Sequence, residues 1–525
     1  MTAARALAAF FAASLAAPLL VAQTAGLGPE SGRPSWLGTW SPLQPRADLP
    51  RRLPHGGAVP ASLLLPPPRV GLFWTAGNPG GLRAELADTR TDFALSLGGE
   101  SGSLRRPLDP GESSVRQATG MGWTPVDPRL GLLGRVVLEQ ERFVPGARAD
   151  VVEAYPTSPF VTLDTSTTAT RRIRVRLEGA ASLQLGAWGL GLALGYQARE
   201  HQTIEAGFVR RTRQTLPGAT IGLTRAVGSL RFGPYARWRN RAETIFLIES
   251  AADGQVVQLE GLRAVQPLEV SSLYYRRIEE NIPSAGWSVA GPLVGGSWTL
   301  YAERSWLRER LTRQEENDPA EDTWDANAWS AGGAYQRRVR RRTLLTLDAR
   351  YTTLRGAGDL ALDTVGVIFR AAERAASAAA ELRILPDTVG WALVVGVQVR
   401  WEHRLRDALT VPVAAEVTGL TNGVSVEVGR AFSPRLFAAV TLGYAIHSAN
   451  SSFPDPTALG PVYRTYVLPE YDLASRPAQP WLGAVGVQWT VGPGTSLWMR
   501  ATGERVSPTK RGPTSFGPSG SRSVV

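Results

Sequence analysis

Segments of about ten residues in which apolar side chains alternate with small or polar ones recur along most of this chain, a period that suits strands and not helices. In the clearest, Trp391, Leu393, Val395, Val397, Val399 and Trp401 share one face, and Ala392, Val394, Gly396, Gln398, Arg400 and Glu402 share the other. Ten steps at ~3.3 Å make about 33 Å. A strand tilt near 45° turns that into about 24 Å of height, close to the ~25 Å apolar band with aromatic girdles of an outer-membrane barrel. Trp391, Trp401 and Trp489 are therefore the expected membrane girdle.

Other segments repeat the pattern. Leu345, Leu347, Ala349 and Tyr351 alternate with Thr346, Asp348, Arg350 and Thr352, and Val485, Val487, Trp489 and Val491 alternate with Ala484, Gly486, Gln488 and Thr490. Leu436, Ala438, Val440, Leu442, Tyr444 and Ile446 make a third stripe. Ile173, Val175 and Leu177 alternate with Arg172, Arg174 and Arg176. In a barrel that charged face meets the lumen, so Arg172, Arg174 and Arg176, with Gln398 and Arg400, are expected to line it. The arginines then either form a cationic ladder favouring anionic or amphiphilic solutes or pair with carboxylates of neighbouring strands.

Leu185-Gly186-Ala187-Trp188-Gly189 and Val491-Gly492-Pro493-Gly494 read as tight turns between neighbouring strands. Thr312 to Thr323, with its acidic cluster Glu315, Glu316, Asp318, Glu321 and Asp322, reads as an extracellular loop. The stretches 156–159 and 455–461 read as loops as well. Ala371 to Leu385 is alanine-rich and fits either a helix by propensity or a strand of small residues.

The N-terminus carries an export signal by its layout. Arg5 supplies a positive charge, Ala6 to Val21 is apolar apart from Ser14, and Ala22 offers a small residue at the cleavage point. No later apolar run approaches the ~18 residues of a membrane helix. The expected organisation is a signal peptide over 1–22, an irregular Pro- and Gly-rich periplasmic or plug segment over 23–68, a barrel over 69–505 and a disordered polar tail over 506–525. The fold class is all-β: a transmembrane antiparallel barrel of about 14–18 strands.

Composition removes several classes of chemistry. Cysteine is absent, which excludes disulfides, thiolate nucleophiles and cysteine zinc sites. The formal charge is +11, and of the 57 basic residues all but Lys510 are arginine. After an export signal the negative partners expected are lipid and lipopolysaccharide phosphates, acidic side chains of the same chain or anionic solutes, and not nucleic acid. His55, His201, His403 and His447 are scattered without ligand spacing, so neither metal nor cofactor is expected. No nucleophile elbow occurs, and Gly189-Leu190-Gly191-Leu192-Ala193-Leu194-Gly195 has the wrong spacing for a dinucleotide fingerprint. A rim hydrolase would need His403 with Glu402, or His447 with Ser448, to acquire further partners, and the expectation is that the chain is not an enzyme.

Trp74-Thr75-Ala76-Gly77-Asn78-Pro79-Gly80-Gly81-Leu82, and then Tyr155-Pro156-Thr157-Ser158-Pro159-Phe160 followed by Asp164 and Thr165, resemble an uncharacterised family of bacterial outer-membrane β-barrel proteins. The motifs cover about the first 250 residues. The Asn-Pro-Gly-Gly element is also similar to the entry of fatty-acid-transporter-type barrels. The resemblance implies an outer-membrane location, dependence on barrel assembly machinery and a barrel fold, and it supplies no substrate or catalytic residue. Such barrels usually finish on a strand with a terminal aromatic, from which this polar ending departs. The function expected is a channel or transporter for small or amphiphilic solutes, anionic ones among them; the alternative is a non-conducting structural or surface-binding barrel.

Overall fold

The computed structural model describes residues 70–102, 111–144, 160–164, 169–203, 209–248, 256–260, 263–264, 273–315, 318–359, 367–386, 389–409, 413–453, 477–492, 495–508 and 522–524. The expected signal peptide and the 23–68 segment lie outside these residues, as do 156–159 and 455–461.

A short helical element comes first: α1 (Leu72–Ala76), a 3-10 turn (Pro79–Gly81) and α2 (Leu82–Glu85). The strands follow as β1 (Arg90–Gly102), β2 (Glu112–Pro125), β3 (Leu130–Val144), β4 (Phe160–Asp164), β5 (Thr170–Leu185), β6 (Trp188–Thr203) and β7 (Val209–Val227). Next are β8 (Leu230–Ile248), β9 (Val256–Glu260), β10 (Arg263–Ala264), β11 (Leu273–Leu293), β12 (Gly296–Glu315), β13 (Asp318–Arg340) and β14 (Thr343–Asp359). The chain continues with β15 (Val367–Ile384), β16 (Gly390–Ala408), β17 (Val413–Ala431), β18 (Leu436–Ser452), β19 (Ala478–Gly492), β20 (Thr495–Pro508) and β21 (Arg522–Val524).

Eighteen of these strands form one sheet, in which β4, β9 and β10 take no part; those three make a small separate sheet. Neighbours in the large sheet are antiparallel, and its two ends meet because β21 pairs with both β1 and β20, Val524 lying opposite Glu100 and Glu504. The result is a closed barrel. Closure matters physically, because a sheet edge in hydrocarbon would leave unpaired N–H and C=O groups.

Burial runs opposite to that of a protein in water. Leu442 is 66% exposed and Val440 51%, while the intervening Thr441 is 2% exposed. On β16, Trp391 is 65% exposed and Ala392 2%. An apolar outer stripe opposite small or polar buried residues, as on these strands, is what a wall between lipid and lumen requires. No helix among the described residues is long and apolar enough to cross a membrane.

Aromatic residues mark two levels on the exposed face. Trp188, Trp298, Trp391 and Trp489 sit near the short turns, and Tyr196, Trp306, Trp401 and Trp481 lie eight to ten residues further along the same strands. That separation corresponds to about 26–33 Å along a strand and about 19–24 Å of barrel height.

The turn at Gly186-Ala187 forms as expected, with Gly186 at a φ of 59° that a glycine tolerates without strain. At the last hairpin Gly492 lies opposite Thr495. Several expectations need correction. Thr312 to Thr323 is not a loop: β12 runs to Glu315 and β13 begins at Asp318, because ladder hydrogen bonding continues with no apolar face to bury. Ala371 to Leu385 falls almost wholly in strand β15, the cross-strand ladders overriding alanine's helix propensity. The barrel begins at Arg90 rather than residue 69, since 72–85 is helical. The expected tail over 506–525 contains the end of β20 and the closing strand β21.

Candidate functional site

Inside the barrel, at the end of the short turns, Met121, Trp123, Leu133, Ala180 and Ala193 of β2, β3, β5 and β6 make an apolar patch on the inner face. Phe73, Trp74, Leu82 and Leu86 pack against it. Trp74 meets Phe73 at 5.0 Å and Trp123 at 5.8 Å, both edge to face. Each such side chain taken out of water contributes about 1.5–3 kcal/mol. The element from Leu72 to Leu86 is thus a stopper held in the barrel mouth.

Its seat is cut to fit. Asn78 is fully buried; its Oδ1 accepts from Gly80 N at 3.0 Å, and its Nδ2 donates to Ser288 Oγ at 3.0 Å and Gly233 O at 3.3 Å. Gly80 O accepts from Thr224 Oγ1 at 3.0 Å and Ser182 Oγ at 3.4 Å. A Cβ on Gly191 would stand 2.1 Å from the Pro79 carbonyl carbon, and one on Gly222 would stand 1.9 Å from Asn78 Oδ1. Only glycine lets the stopper approach β6 and β7 this closely.

Glu85 fastens the two helical turns together. Its carboxylate lies against Gly71 and Gly81 and accepts from the Phe73 and Trp74 backbone N–H groups at 3.2 and 3.4 Å. Although part of its stem stays exposed, burial of the carboxyl group pushes its pKa up to about 7, against the opposing pull of those N–H groups and of Arg231.

Further up, the buried face carries a network of ion pairs. Arg172 meets Glu141 at 3.1 Å, Arg174 pairs with Glu139, and Arg176 meets Glu178 at 2.7 Å. Arg241 bridges Glu243 at 2.8 Å and Glu280 at 3.5 Å, and Arg237 meets Glu303 at 3.2 Å. Across the barrel, Glu402 is shared by Arg400 at 3.0 Å and Arg404 at 3.5 Å. Of the two arrangements the sequence left open for Arg172, Arg174 and Arg176, the structure has pairing with neighbouring carboxylates, not an unneutralised ladder. Gln398 is half-buried on the same face as Arg400.

Trp391 and Trp489 are 65% and 55% exposed, and Trp401 is half-exposed with His403 stacked on it at 6.3 Å. The hydrolase pairings suggested by sequence adjacency do not form, because adjacent strand residues point to opposite faces. Glu402 is buried; His403 Nδ1 instead lies 3.1 Å from Thr418 Oγ1 and 3.6 Å from Glu416. His447 is buried against Thr421 Oγ1 at 2.8 Å, and Ser448 is directed to Leu420 O. Among the described residues no group of His, Asp and Glu is arranged to hold a metal.

The stopper's seat was not found from the sequence. Its signal was the set of glycines and small hydroxyls on β5 to β7, which pattern alone reads as barrel lining.

No curated protein sequence matches the chain. Among solved structures, the siderophore receptor PiuA from Acinetobacter baumannii is 7% identical with a TM-score of 0.36, over 84% of this chain and 82% of that one. The copper transporter OprC is 8% identical with a TM-score of 0.37, over 84% and 80%. The ferric yersiniabactin uptake receptor FyuA from Yersinia pestis is 10% identical with a TM-score of 0.33, over 82% and 79%. At that similarity none of them informs the site, and these findings do not carry the fatty-acid-transporter resemblance. The sequence itself matches a family of unknown function, DUF6850, over residues 84–523, and the chain belongs to that family.

Proposed function

We propose that this chain is an outer-membrane barrel that works as a gated transporter for small or amphiphilic solutes, with Leu72 to Leu86 as its gate. The observation carrying this reading is the apolar patch on the inner face at the short-turn end, which the stopper covers with Phe73, Trp74, Leu82 and Leu86, together with a seat of glycines cut to its backbone. On this reading 1–22 directs export and 23–68 leads into the stopper from the periplasm. Trp391, Trp401 and Trp489 sit in the girdles, and Arg172, Arg174, Arg176, Gln398 and Arg400 line the route. Because the lining arginines are matched by glutamates, the route favours zwitterionic or amphiphilic solutes over simple anions. The protein depends on barrel assembly machinery for insertion and contacts lipid and lipopolysaccharide; its role is transport, not catalysis.

The test is single-channel conductance in planar bilayers. The full chain is expected to be closed, and Gly191→Val, which drives a side chain into Pro79, is expected to produce stable openings while the barrel stays folded. Equal, open conductance from both proteins would show that the stopper does not gate. The extensive internal ion pairing also favours a second reading, a structural barrel that never conducts. Silence after Ala76→Cys labelling has shown the stopper to be displaced would favour it.

A further inference from the structure

The hairpin joining β13 to β14 ends in Arg337, Arg338, Arg340, Arg341 and Arg342, a run used neither by the stopper nor by the internal network. Arg338 lies opposite Leu344 and Arg340 opposite Thr343, so Val339 is an extra, bulged residue. In a regular strand Arg338 and Arg340 would share a face. The bulge instead moves Arg340 to the face of Leu345 and Leu347, the latter 39% exposed, and so onto the outside with Arg337.

Directly along that face from Arg337 stand Tyr335 and its cross-strand partner Trp298. Arg341 and Arg342 occupy the exposed turn. Among the described residues none of Arg337, Arg338, Arg340 and Arg341 forms an ion pair, in contrast to the arginines of the interior. The same rim repeats the arrangement more weakly: the Arg225 guanidinium lies 5.0 Å over Trp188 and that of Arg430 lies 5.2 Å over Trp391.

We propose that this hairpin edge is a binding site for the phosphate-bearing headgroups of anionic phospholipids in the leaflet at the short-turn end. Aromatic rings at the boundary with basic groups just beyond place the arginines at headgroup level. The guanidinium fork matches a phosphate with two parallel hydrogen bonds. The bulge is what brings Arg340 to the lipid side. This proposal does not depend on whether the barrel transports anything.

The experiment uses the full chain in phosphatidylcholine nanodiscs containing a minor share of phosphatidylglycerol, with retained lipids identified by native mass spectrometry. The protein should retain phosphatidylglycerol in preference to phosphatidylcholine, and the preference should fall as salt rises. Arg337→Gln, Arg340→Gln and Arg341→Gln together should remove it, at about fivefold in affinity per arginine. A matched triple substitution at the other end, Arg142→Gln with Arg213→Gln and Arg308→Gln, should leave it unchanged. Heat-dependent gel mobility would show that each variant is folded. An equal loss in both triples would overturn the site in favour of overall charge. Displacement of nothing but inorganic phosphate, with no preference between the two lipids, would overturn the lipid assignment.

Discussion

Glu85 shows how one side chain can set the behaviour of the stopper. Its carboxyl group is held near pKa 7 when docked, against an ordinary value of 4.5. The docked form therefore binds more protons between those values, and docking weakens as pH rises through the interval. Its contribution is fully present below about pH 4.5 and lost above about pH 7, and it amounts to at most about 3 kcal/mol at 1.36 kcal/mol per pH unit. Because the chain has no cysteine, the labelling rate of Ala76→Cys, divided by that of a free thiol at the same pH to remove the rise in thiolate, reports undocking. That ratio should rise from pH 5 to pH 8 by one to two orders of magnitude, and Glu85→Gln should flatten the profile. A slope that survives Glu85→Gln would place the titrating group elsewhere.

For the strands, what decides stability is which face a residue occupies. Leu442 is mid-strand on β18 and 66% exposed, and Thr441 beside it is buried, donating to Glu427 Oε2 at 2.6 Å. Leu442→Arg should cost about 2–4 kcal/mol in urea unfolding from vesicles, the range for a charge facing lipid near the midplane. A cost near zero would mean that this face of β18 does not meet hydrocarbon. The stripe itself was legible in the sequence because alternation is local. Strand ends were less so: β12 reaches Glu315 and β13 starts at Asp318, well inside the acidic stretch that composition reads as a loop. β15 pairs fully despite its alanines, since its partners β14 and β16 supply the hydrogen bonds that propensity alone does not weigh.

Across the whole barrel, the inner face couples strands through charge. Arg174 is 6% exposed and paired with Glu139, itself 5% exposed. Removing one partner leaves a buried charge, so Arg174→Ser should destabilise the barrel by about 3–5 kcal/mol, whereas removing both should cost much less. The check is a double-substitution cycle with Glu139→Ser, read by thermal unfolding in detergent. Additive costs would show that the two groups do not act as a pair.

The sequence by itself determined that this chain makes strands, which residues face each way and where the aromatic rows fall, because side-chain alternation is written residue by residue into a strand. It also placed arginines 172, 174 and 176 on a single face, and it left open what met them. Only the tertiary structure decided that Glu141 meets Arg172 and Glu139 meets Arg174, that Arg522 to Val524 closes the ring against β1 and β20, and that Asn78 to Gly81 sits against β6, β7 and β8. These contacts join residues far apart in the chain. They depend on strand register and on closure of the sheet, which bring separate segments together without leaving a local pattern in any of them.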